Sequence, residues 1–293
     1  MKHPLSEVIC KIKRLDLRAK LVVEGFLSGL HKSSYKGQAI EFADYRPYLP
    51  GDELKRIDWK IFAKTDKFWV REYEEETNLR AYLFLDTSGS MKYKSKEISK
   101  FEYAAFLAAA FAYLLFRQHD SVGLALFNKD NYKYLPPQFS KFHLAKILET
   151  IESATPEGET DIYKSLTELG KKIKKRGLII IFSDFFDKKE NVLKGLKSLR
   201  HKKNEVLVFH ILDPNEIELN YSEPLIFRDL ETKREISLDP RSIKKEYQET
   251  LKKLFLYYKQ ECAAHYIDYN LIFTNMPFDY AFFNYLAKRA RIK

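Results

Sequence analysis

The chain has 293 residues, of which 45% are hydrophobic and 31% charged, with 10 glycines and 10 prolines. This composition is typical of a folded globular protein and argues against long disorder, collagen-like sequence or flexible linkers. The two cysteines exclude a disulfide-rich scaffold and a cysteine-rich zinc site, and they favour a reducing compartment.

The net charge is +10 at pH 7, from 51 basic and 41 acidic residues. Such an excess is compatible with nucleic acid, an anionic membrane surface or an acidic protein as partner. Most of the lysines are interspersed with acidic residues, however, which is typical of a solvated surface.

Neither a secretory signal nor a membrane span is predicted. The first residues carry charges instead of a continuous apolar segment. The longest apolar segment, residues 103–116, is about 14 residues long, whereas a membrane-spanning helix needs about 20. We therefore expect a cytoplasmic protein.

The first predicted element is an amphipathic helix within residues 1–30. Residues 31–77 are rich in Gly, Tyr, Arg and Asp, with a turn predicted at 48–52 and a strand at 68–73. Because this segment lacks a long apolar run, we expect it to pack against a core formed elsewhere. We predict two parts, an N-terminal region of residues 1–77 and a domain of residues 78–293.

From residue 78 onward, strands and helices alternate. The predicted strands are 80–85, 121–127, 132–135, 178–182, 205–212 and 266–271, with a hairpin at 224–238. The predicted helices are 98–118, 141–153, 161–176, 190–202, 241–264 and 278–291. This alternation predicts an α/β fold with a central, mainly parallel sheet flanked by helices. Ligands of such sheets bind at the carboxyl ends of the strands.

Oxygen-bearing side chains follow two of the predicted strands and precede one helix. Asp86, Ser88 and Ser90 follow the first strand, Asp184 follows the strand 178–182, and Thr160 precedes the helix 161–176. A set with only oxygen donors suits a hard divalent cation such as Mg²⁺ more than zinc. Taken singly, Thr160, its neighbour Asp161, or either serine is equally explained as a helix cap.

The three sequence pieces D-T-S-G-S, G-E-T and S-D-F-F-D resemble the metal-ion-dependent adhesion site (MIDAS) of von Willebrand factor type A domains. The resemblance implies the fold of those domains and a bound Mg²⁺ or Mn²⁺. It also implies the site Asp86, Ser88, Ser90, Thr160 and Asp184, with hydroxyls on the ion and carboxylates acting largely through water. One coordination position is left for an acidic residue of a partner protein.

The upstream segments G-Q-A-I-E-F, R-P-Y-L-P-G-D and R-I-D-W, within residues 37–59, are similar to the hallmark of the family called domain of unknown function 58. Ala39 stands where a second glycine is usual, and Lys64 replaces an arginine. The resemblance implies work with a MoxR-type AAA+ ATPase in chaperone-like maturation or assembly of client proteins. We therefore expect a non-enzymatic, metal-dependent protein-interaction adaptor.

Two groups of residues are candidates for contact with that partner. Lys92 and Lys94, with Lys96 and Lys100, follow the metal motif and form either a cationic rim that steers an acidic partner or an ordinary solvated cluster. The second group is explained either by a turn, ion pairs and a packed indole, or by a docking face. Its members are Arg46, Asp52, Arg56, Asp58 and Trp59.

Other functions have weaker support from the sequence. A Mg²⁺-dependent phosphatase with Asp86 as nucleophile and the pair Asp184 and Asp187 as metal ligands lacks its general acid, because Ser88 stands at that position. Nucleic-acid binding rests on basic runs at 171–176 and 200–203, which fall toward predicted helix ends. His210 is interpreted as a core residue, and Cys262 with His265 lacks the further ligands of a zinc site.

Overall fold

The computed structural model describes residues 14–32, 45–48, 66–71, 79–129 and 132–278, together with residues 59, 62, 63, 280, 282 and 285. The first half of the predicted N-terminal helix, most of the predicted turn at 48–52 and most of the predicted helix 278–291 lie outside these residues. The chain divides into two compact units, one of residues 1–26 and 79–293 and one of residues 27–78.

The larger unit is built on a six-stranded sheet. Its strands are β3 (Arg80–Asp86), β4 (Ser121–Phe127), β5 (Tyr132–Gln138), β6 (Leu178–Ser183), β7 (Glu205–Leu212) and β10 (Ile267–Phe273). Their order across the sheet is β10-β7-β6-β3-β4-β5. All neighbouring pairs are parallel except β4 and β5. The predicted α/β fold with a central, mainly parallel sheet is therefore confirmed.

The helices are α1 (Leu15–Lys32), α2 (Lys100–Arg117), α3 (Lys141–Glu152), α4 (Ile162–Lys172), α5 (Lys189–His201), α6 (Pro214–Glu218) and α7 (Pro240–Ala264). A two-stranded hairpin of β8 (Leu225–Arg228) and β9 (Glu235–Leu238) precedes α7. No helix among the described residues combines the length and the apolar character needed to cross a membrane.

The sheet is buried on both faces. On one face Phe111 of α2 contacts the rings of Phe182 and Phe209, with ring centroids 6.1 and 5.3 Å away. The opposite face packs against α4, α5 and α7 through one apolar cluster that includes Tyr82, Ile179, Leu166, Leu196 and Tyr258. The continuous apolar sequence of β6 follows from this position, because a parallel strand between two helical layers has no solvent face.

Three elements differ from the sequence-based prediction. Helix α4 ends at Lys172 instead of residue 176, because Ile173 leaves the helix in an extended conformation and is buried. Strand β5 continues through Pro136 and Pro137, which an edge strand tolerates because its outer N–H groups have no ladder partner. Helix α6 was missed, although Asp213, Pro214 and Glu216 form a capping box with proline in the first turn.

The smaller unit contains the short antiparallel strands β1 (Tyr45–Pro47) and β2 (Trp69–Arg71). The aromatic rings of Phe62 and Phe68 stack with their centroids 4.5 Å apart, and Trp59 meets Phe62 edge-on at 6.0 Å. Of the predicted strand at 68–73, Trp69–Arg71 is confirmed as β2, and residues 72 and 73 lie outside the described residues.

Gly177, directly before β6, lies close to the backbone at the start of β3. A Cβ atom placed on Gly177 would collide with the backbone oxygen of Arg80. Gly177→Ala is therefore expected to lower the free energy of unfolding by about 1–3 kcal/mol or more, because backbone must move to admit the methyl group. Urea denaturation measures this change.

Gly25→Ala is the matched control, because a Cβ atom on Gly25 would meet nothing within 4 Å. In the helix α1 that change is expected to be neutral or to stabilise by up to about 1 kcal/mol. Equal effects of the two substitutions would contradict the close approach at Gly177.

Candidate metal and partner-binding site

The candidate site lies where β3 and β6 end side by side. The register pairs Leu85 with Phe182, so the next residues of the two strands, Asp86 and Ser183, adjoin at the same edge. The hydroxyl of Ser183 donates a hydrogen bond of 2.5 Å to Asp86 Oδ2. Asp86 is fully buried, and its Oδ1 accepts from the backbone N–H of Ser88 at 2.9 Å.

Two serine hydroxyls of the metal motif point toward each other. Ser88 and Ser90 are buried, and their Oγ atoms lie 3.1 Å apart. Ser88 precedes a short 3-10 helix, Gly89–Lys92, but its side chain makes no capping hydrogen bond, and Ser90 lies inside that helix. The longer helix α2 is capped by Ser99, in a capping box with Glu102. The explanation of these serines as helix caps is therefore wrong.

The loop that carries Thr160 reaches the metal motif through backbone contacts. Gly89 donates a hydrogen bond of 2.8 Å to the carbonyl of Gly158, and Glu157 donates one of 2.7 Å to the carbonyl of Thr87. Asp161 caps α4 by accepting from the N–H of Lys164, whereas the Thr160 hydroxyl has a different partner, Glu231. Capping therefore accounts for Asp161 but not for Thr160.

Asp184 faces a buried lysine. Lys100, which is 1% exposed, donates hydrogen bonds of 2.7 Å to Asp184 Oδ2 and 2.6 Å to Glu216 Oε1. Burial would lower the pKa of Lys100, but the two carboxylates outweigh it and raise that pKa above its ordinary value. Lys100 is thus part of the site's interior, and its expected place in an exposed cationic rim is wrong.

The electrostatics of Asp86 reflect its burial. Removal from water, followed by the negative charge of Asp184, raises the pKa of the Asp86 carboxyl to about 7. Its hydrogen bonds from Ser183 and Ser88 act in the opposite direction. A positive charge at this position would favour the ionised form of Asp86.

These residues fit a hard divalent cation by the chemistry of their donors. The donors are the carboxylates of Asp86 and Asp184 and the hydroxyls of Ser88, Ser90 and Thr160, and oxygen atoms of this kind are the ligands of Mg²⁺. Among the residues that the structure describes, no group of three His, Cys, Asp or Glu side chains has metal-binding geometry. A site of two carboxylates and three hydroxyls does not depend on such a group.

The predicted partner-binding residues belong to both units, with Lys92 and Lys94 in the larger one and the second group in the smaller one. Lys92 and Lys94 are exposed on the segment after the metal motif. That segment is held to α6, because Ser95 donates from its N–H and its hydroxyl to the two carboxylate oxygens of Asp213 at 2.9 and 2.5 Å. Trp59 is 59% exposed. Its indole is therefore not packed in the way that the structural explanation of this group requires.

Of the second candidate group, Arg46 is described only as backbone of β1. Asp52, Arg56 and Asp58 lie outside the described residues. Their assignment to a turn or to a docking face stays a prediction.

Residues named for other functions have structural contacts. Asp187 accepts from the backbone N–H groups of Ile162 and Lys188 at 3.1 and 2.6 Å, near the starts of α4 and α5. Burial lowers the pKa of His210 to about 4, and its Nδ1 lies 2.6 Å from the Tyr269 hydroxyl, which fits the predicted core role. Cys262 is buried, while His265 is exposed.

The basic runs also contact the protein. Lys171 pairs with Glu168, Lys202 donates to the carbonyl of Gly170 at 2.8 Å, and Arg200 donates to the carbonyl of Asn204 at 2.7 Å. Nothing in these contacts favours nucleic acid over a solvated surface.

Sequence reasoning missed four residues of the site region: Lys100 as an interior cation, and Ser183, Glu216 and Glu231 as hydrogen-bonding partners. Glu216 had a usable signal, because an Asp-Pro-x-Glu sequence after a buried strand predicts a capping box beside the strand end. Ser183 also had a signal, because it directly follows the predicted strand 178–182 and is the last residue of β6 in the structure. Glu231 had no comparable signal.

Replacement of the buried lysine tests the interior charge arrangement. Lys100→Met removes the cation and leaves Asp184 and Glu216 without their shared counter-charge. The free energy of unfolding is expected to fall by about 3–5 kcal/mol, the usual range when one partner of a buried ion pair is removed. Chemical denaturation in EDTA measures the change.

Lys96→Met provides the control, because Lys96 is exposed nearby. The same loss of charge there is expected to leave stability nearly unchanged. A Lys100→Met protein as stable as wild type would show that the two carboxylates do not need the lysine.

One family model and proteins from mycobacteria match most of this chain. The family model described as "Protein of unknown function DUF58" matches residues 44–254. Uncharacterized protein Rv1480 of Mycobacterium tuberculosis is 28% identical over 234 residues, covering 78% of this chain and 73% of that protein.

Two solved structures each match part of the chain. The conserved hypothetical protein BatB from Bacteroides thetaiotaomicron matches with 16% identity and a TM-score of 0.49, covering 73% of this chain and 99% of BatB. The VWA domain of SpRpn10 matches with 12% identity and a TM-score of 0.34, covering 46% of this chain and 76% of that domain.

Proposed function

Because the chain belongs to the family described as protein of unknown function DUF58, we propose that it is a cytoplasmic, non-enzymatic adaptor that binds a protein partner through a divalent cation. The partner contributes an acidic residue. We further propose that it acts with a MoxR-type AAA+ ATPase in chaperone-like maturation or assembly of clients, as the sequence resemblance implies.

One observation carries this proposal. Buried oxygen donors from two strand ends meet at one edge of the sheet, with Asp86 bonded to Ser183 and Asp184 close enough to raise the pKa of Asp86. Two carboxylates are brought together in the interior only at a cost in free energy, and a cation between them offsets that cost.

The residues have distinct roles in the proposed site. Ser88, Ser90 and Thr160 would hold Mg²⁺ or Mn²⁺ through their hydroxyl oxygens, and Asp86 and Asp184 would balance its charge. The bound cation would supply a positive charge for a carboxylate of the partner. Lys100 neutralises part of the carboxylate charge and fixes the orientation of Asp184 through a hydrogen bond of 2.7 Å.

The surroundings suit a protein partner with acidic character. Lys92 and Lys94 are exposed on the segment that follows the metal motif. Positive charges beside a binding site increase the association rate of an acidic partner at low ionic strength. We propose that these lysines steer the partner and that Mg²⁺ or Mn²⁺ holds it.

Calorimetric titration of EDTA-stripped protein with Mg²⁺ and Mn²⁺ tests the metal site. Wild type is expected to bind one of the ions saturably. Asp86→Asn is expected to abolish that binding, because it removes the most buried negative charge of the site while conserving shape.

Asp161→Asn is the matched control for this titration. It removes the same charge from a neighbouring loop, and asparagine still caps α4. Binding that survives in Asp86→Asn, or that is lost equally in Asp161→Asn, would contradict the assignment of Asp86.

The partner is tested with a purified MoxR-type AAA+ ATPase from the same organism. Capture on the immobilised chain is expected in Mg²⁺, and it should be lost in EDTA and in Asp86→Asn, because the partner's carboxylate needs the cation. Surface plasmon resonance measures both. Capture that neither EDTA nor the substitution changes would show that this ATPase binds elsewhere.

A further inference from the structure

The turn between β8 and β9 brings a carboxylate onto Thr160. Glu231 Oε2 accepts from the backbone N–H of Thr160 at 2.8 Å, and Oε1 accepts from the Thr160 hydroxyl at 3.1 Å. Both carboxylate oxygens of Glu231 therefore accept hydrogen bonds from Thr160, which lies 71 positions away in the chain. The carboxylate is fixed relative to Thr160 in both distance and orientation.

The turn that presents Glu231 is itself held by hydrogen bonds. Asp229 Oδ1 accepts from the N–H groups of Glu231 and Thr232 at 2.8 and 3.2 Å, and Asp229 Oδ2 accepts from the Thr232 hydroxyl at 2.8 Å. The backbone of Asp229 also pairs with Lys233 and Arg234. Glu231 therefore projects from an ordered turn.

The same turn also contacts the metal motif. A Cβ atom on Gly89 would lie 3.1 Å from the carbonyl oxygens of both Leu230 and Gly158. Gly89 thus lies against both the turn and the loop that carries Thr160. The turn 229–233 touches both of the loops that supply hydroxyls to the proposed site.

We propose that Glu231 is a positioning residue of the cation site, an inference that rests on the proposed function. A threonine hydroxyl has one hydrogen and two lone pairs. When the hydrogen is donated to Glu231, the lone pairs of the Thr160 oxygen are left for a cation. The carboxylate also makes the hydroxyl oxygen more electron-rich and adds negative charge close to the site.

The alternative role of Glu231 predicts the opposite result. A carboxylate on Thr160 resembles the acidic group that a partner would bring, so Glu231 as a competitor would obstruct the site. Its removal would then strengthen binding of the ion, whereas removal of a positioning residue weakens it. Titration with the metal alone distinguishes the two.

The experiment is a calorimetric titration of EDTA-stripped wild type, Glu231→Gln and Glu235→Gln with Mn²⁺ and Mg²⁺. Glu235 is exposed on the same hairpin, 3.7 Å from Arg228, so its substitution makes the same charge change away from Thr160. Glu231→Gln is expected to weaken binding by about 10- to 100-fold, the usual effect of losing a residue that orients a ligand. Glu235→Gln is expected to bind as wild type does.

A double-mutant cycle separates positioning from a general effect on folding. In a Thr160→Val background, which lacks the hydroxyl, Glu231→Gln is expected to cause a smaller loss of affinity than it does in the wild type. Thermal melts in EDTA report whether each variant is folded. If Glu231→Gln melts well below wild type, Glu231→Asp replaces it, and the retracted carboxylate is expected to weaken binding while the charge is retained.

The results that would overturn the inference also show whether the proposed function fails with it. Unchanged or tighter binding of the ion by Glu231→Gln would show that Glu231 does not position Thr160. An equal loss of affinity in Glu235→Gln would show that the loss comes from the change in net charge and not from the contact with Thr160. A wild type that binds neither ion would overturn the proposed metal dependence as well. Binding that Asp86→Asn abolishes and Glu231→Gln leaves intact would overturn only the role of Glu231.

Discussion

The hydrogen bond from the Ser183 hydroxyl to the Asp86 carboxylate joins the ends of the two neighbouring strands β3 and β6. It exists because the parallel register places residue 86 next to residue 183, and both residues are completely buried. The loops that follow these strands therefore begin at one place. The serines of the first loop, Asp184 of the second, and the contacts of Gly89 with the Thr160 loop all depend on that common origin.

A buried carboxylate at this position imposes a need for positive charge. Lys100 meets part of that need, but it is shared between Asp184 and Glu216. Asp86 keeps only hydrogen bonds from neutral groups in the described structure, and burial with the nearby Asp184 raises its pKa. The proposed cation would supply Asp86 with the positive charge that Lys100, already bonded to Asp184 and Glu216, does not provide.

The hairpin β8–β9 lies outside the six-stranded sheet, yet its turn contacts the site. Glu231 engages Thr160, and Leu230 lies against Gly89. The strands of the hairpin expose Ile226 and Ile236, which are 67% and 59% accessible.

Much of the fold was predictable because it depends on local pattern. The continuous apolar residues of β6 indicated a strand covered on both faces, and the alternation of strands and helices indicated the parallel sheet. Strand ends in such a sheet share an edge, so Asp86 and Asp184 were expected near one another before any contact was known. The start of α6 was also present as a capping sequence, although it was overlooked.

The sequence by itself determined which oxygen-bearing side chains follow the strands, since strand ends can be recognised from short-range periodicity. Only the tertiary structure decided which charges pair. Lys100 follows the metal motif among exposed lysines, and its sequence neighbours give no sign that it is buried against Asp184, 84 residues away. Glu231 likewise reaches Thr160 across 71 residues. Such pairs form because packed helices and turns bring distant segments together, and the local sequence records nothing of that packing.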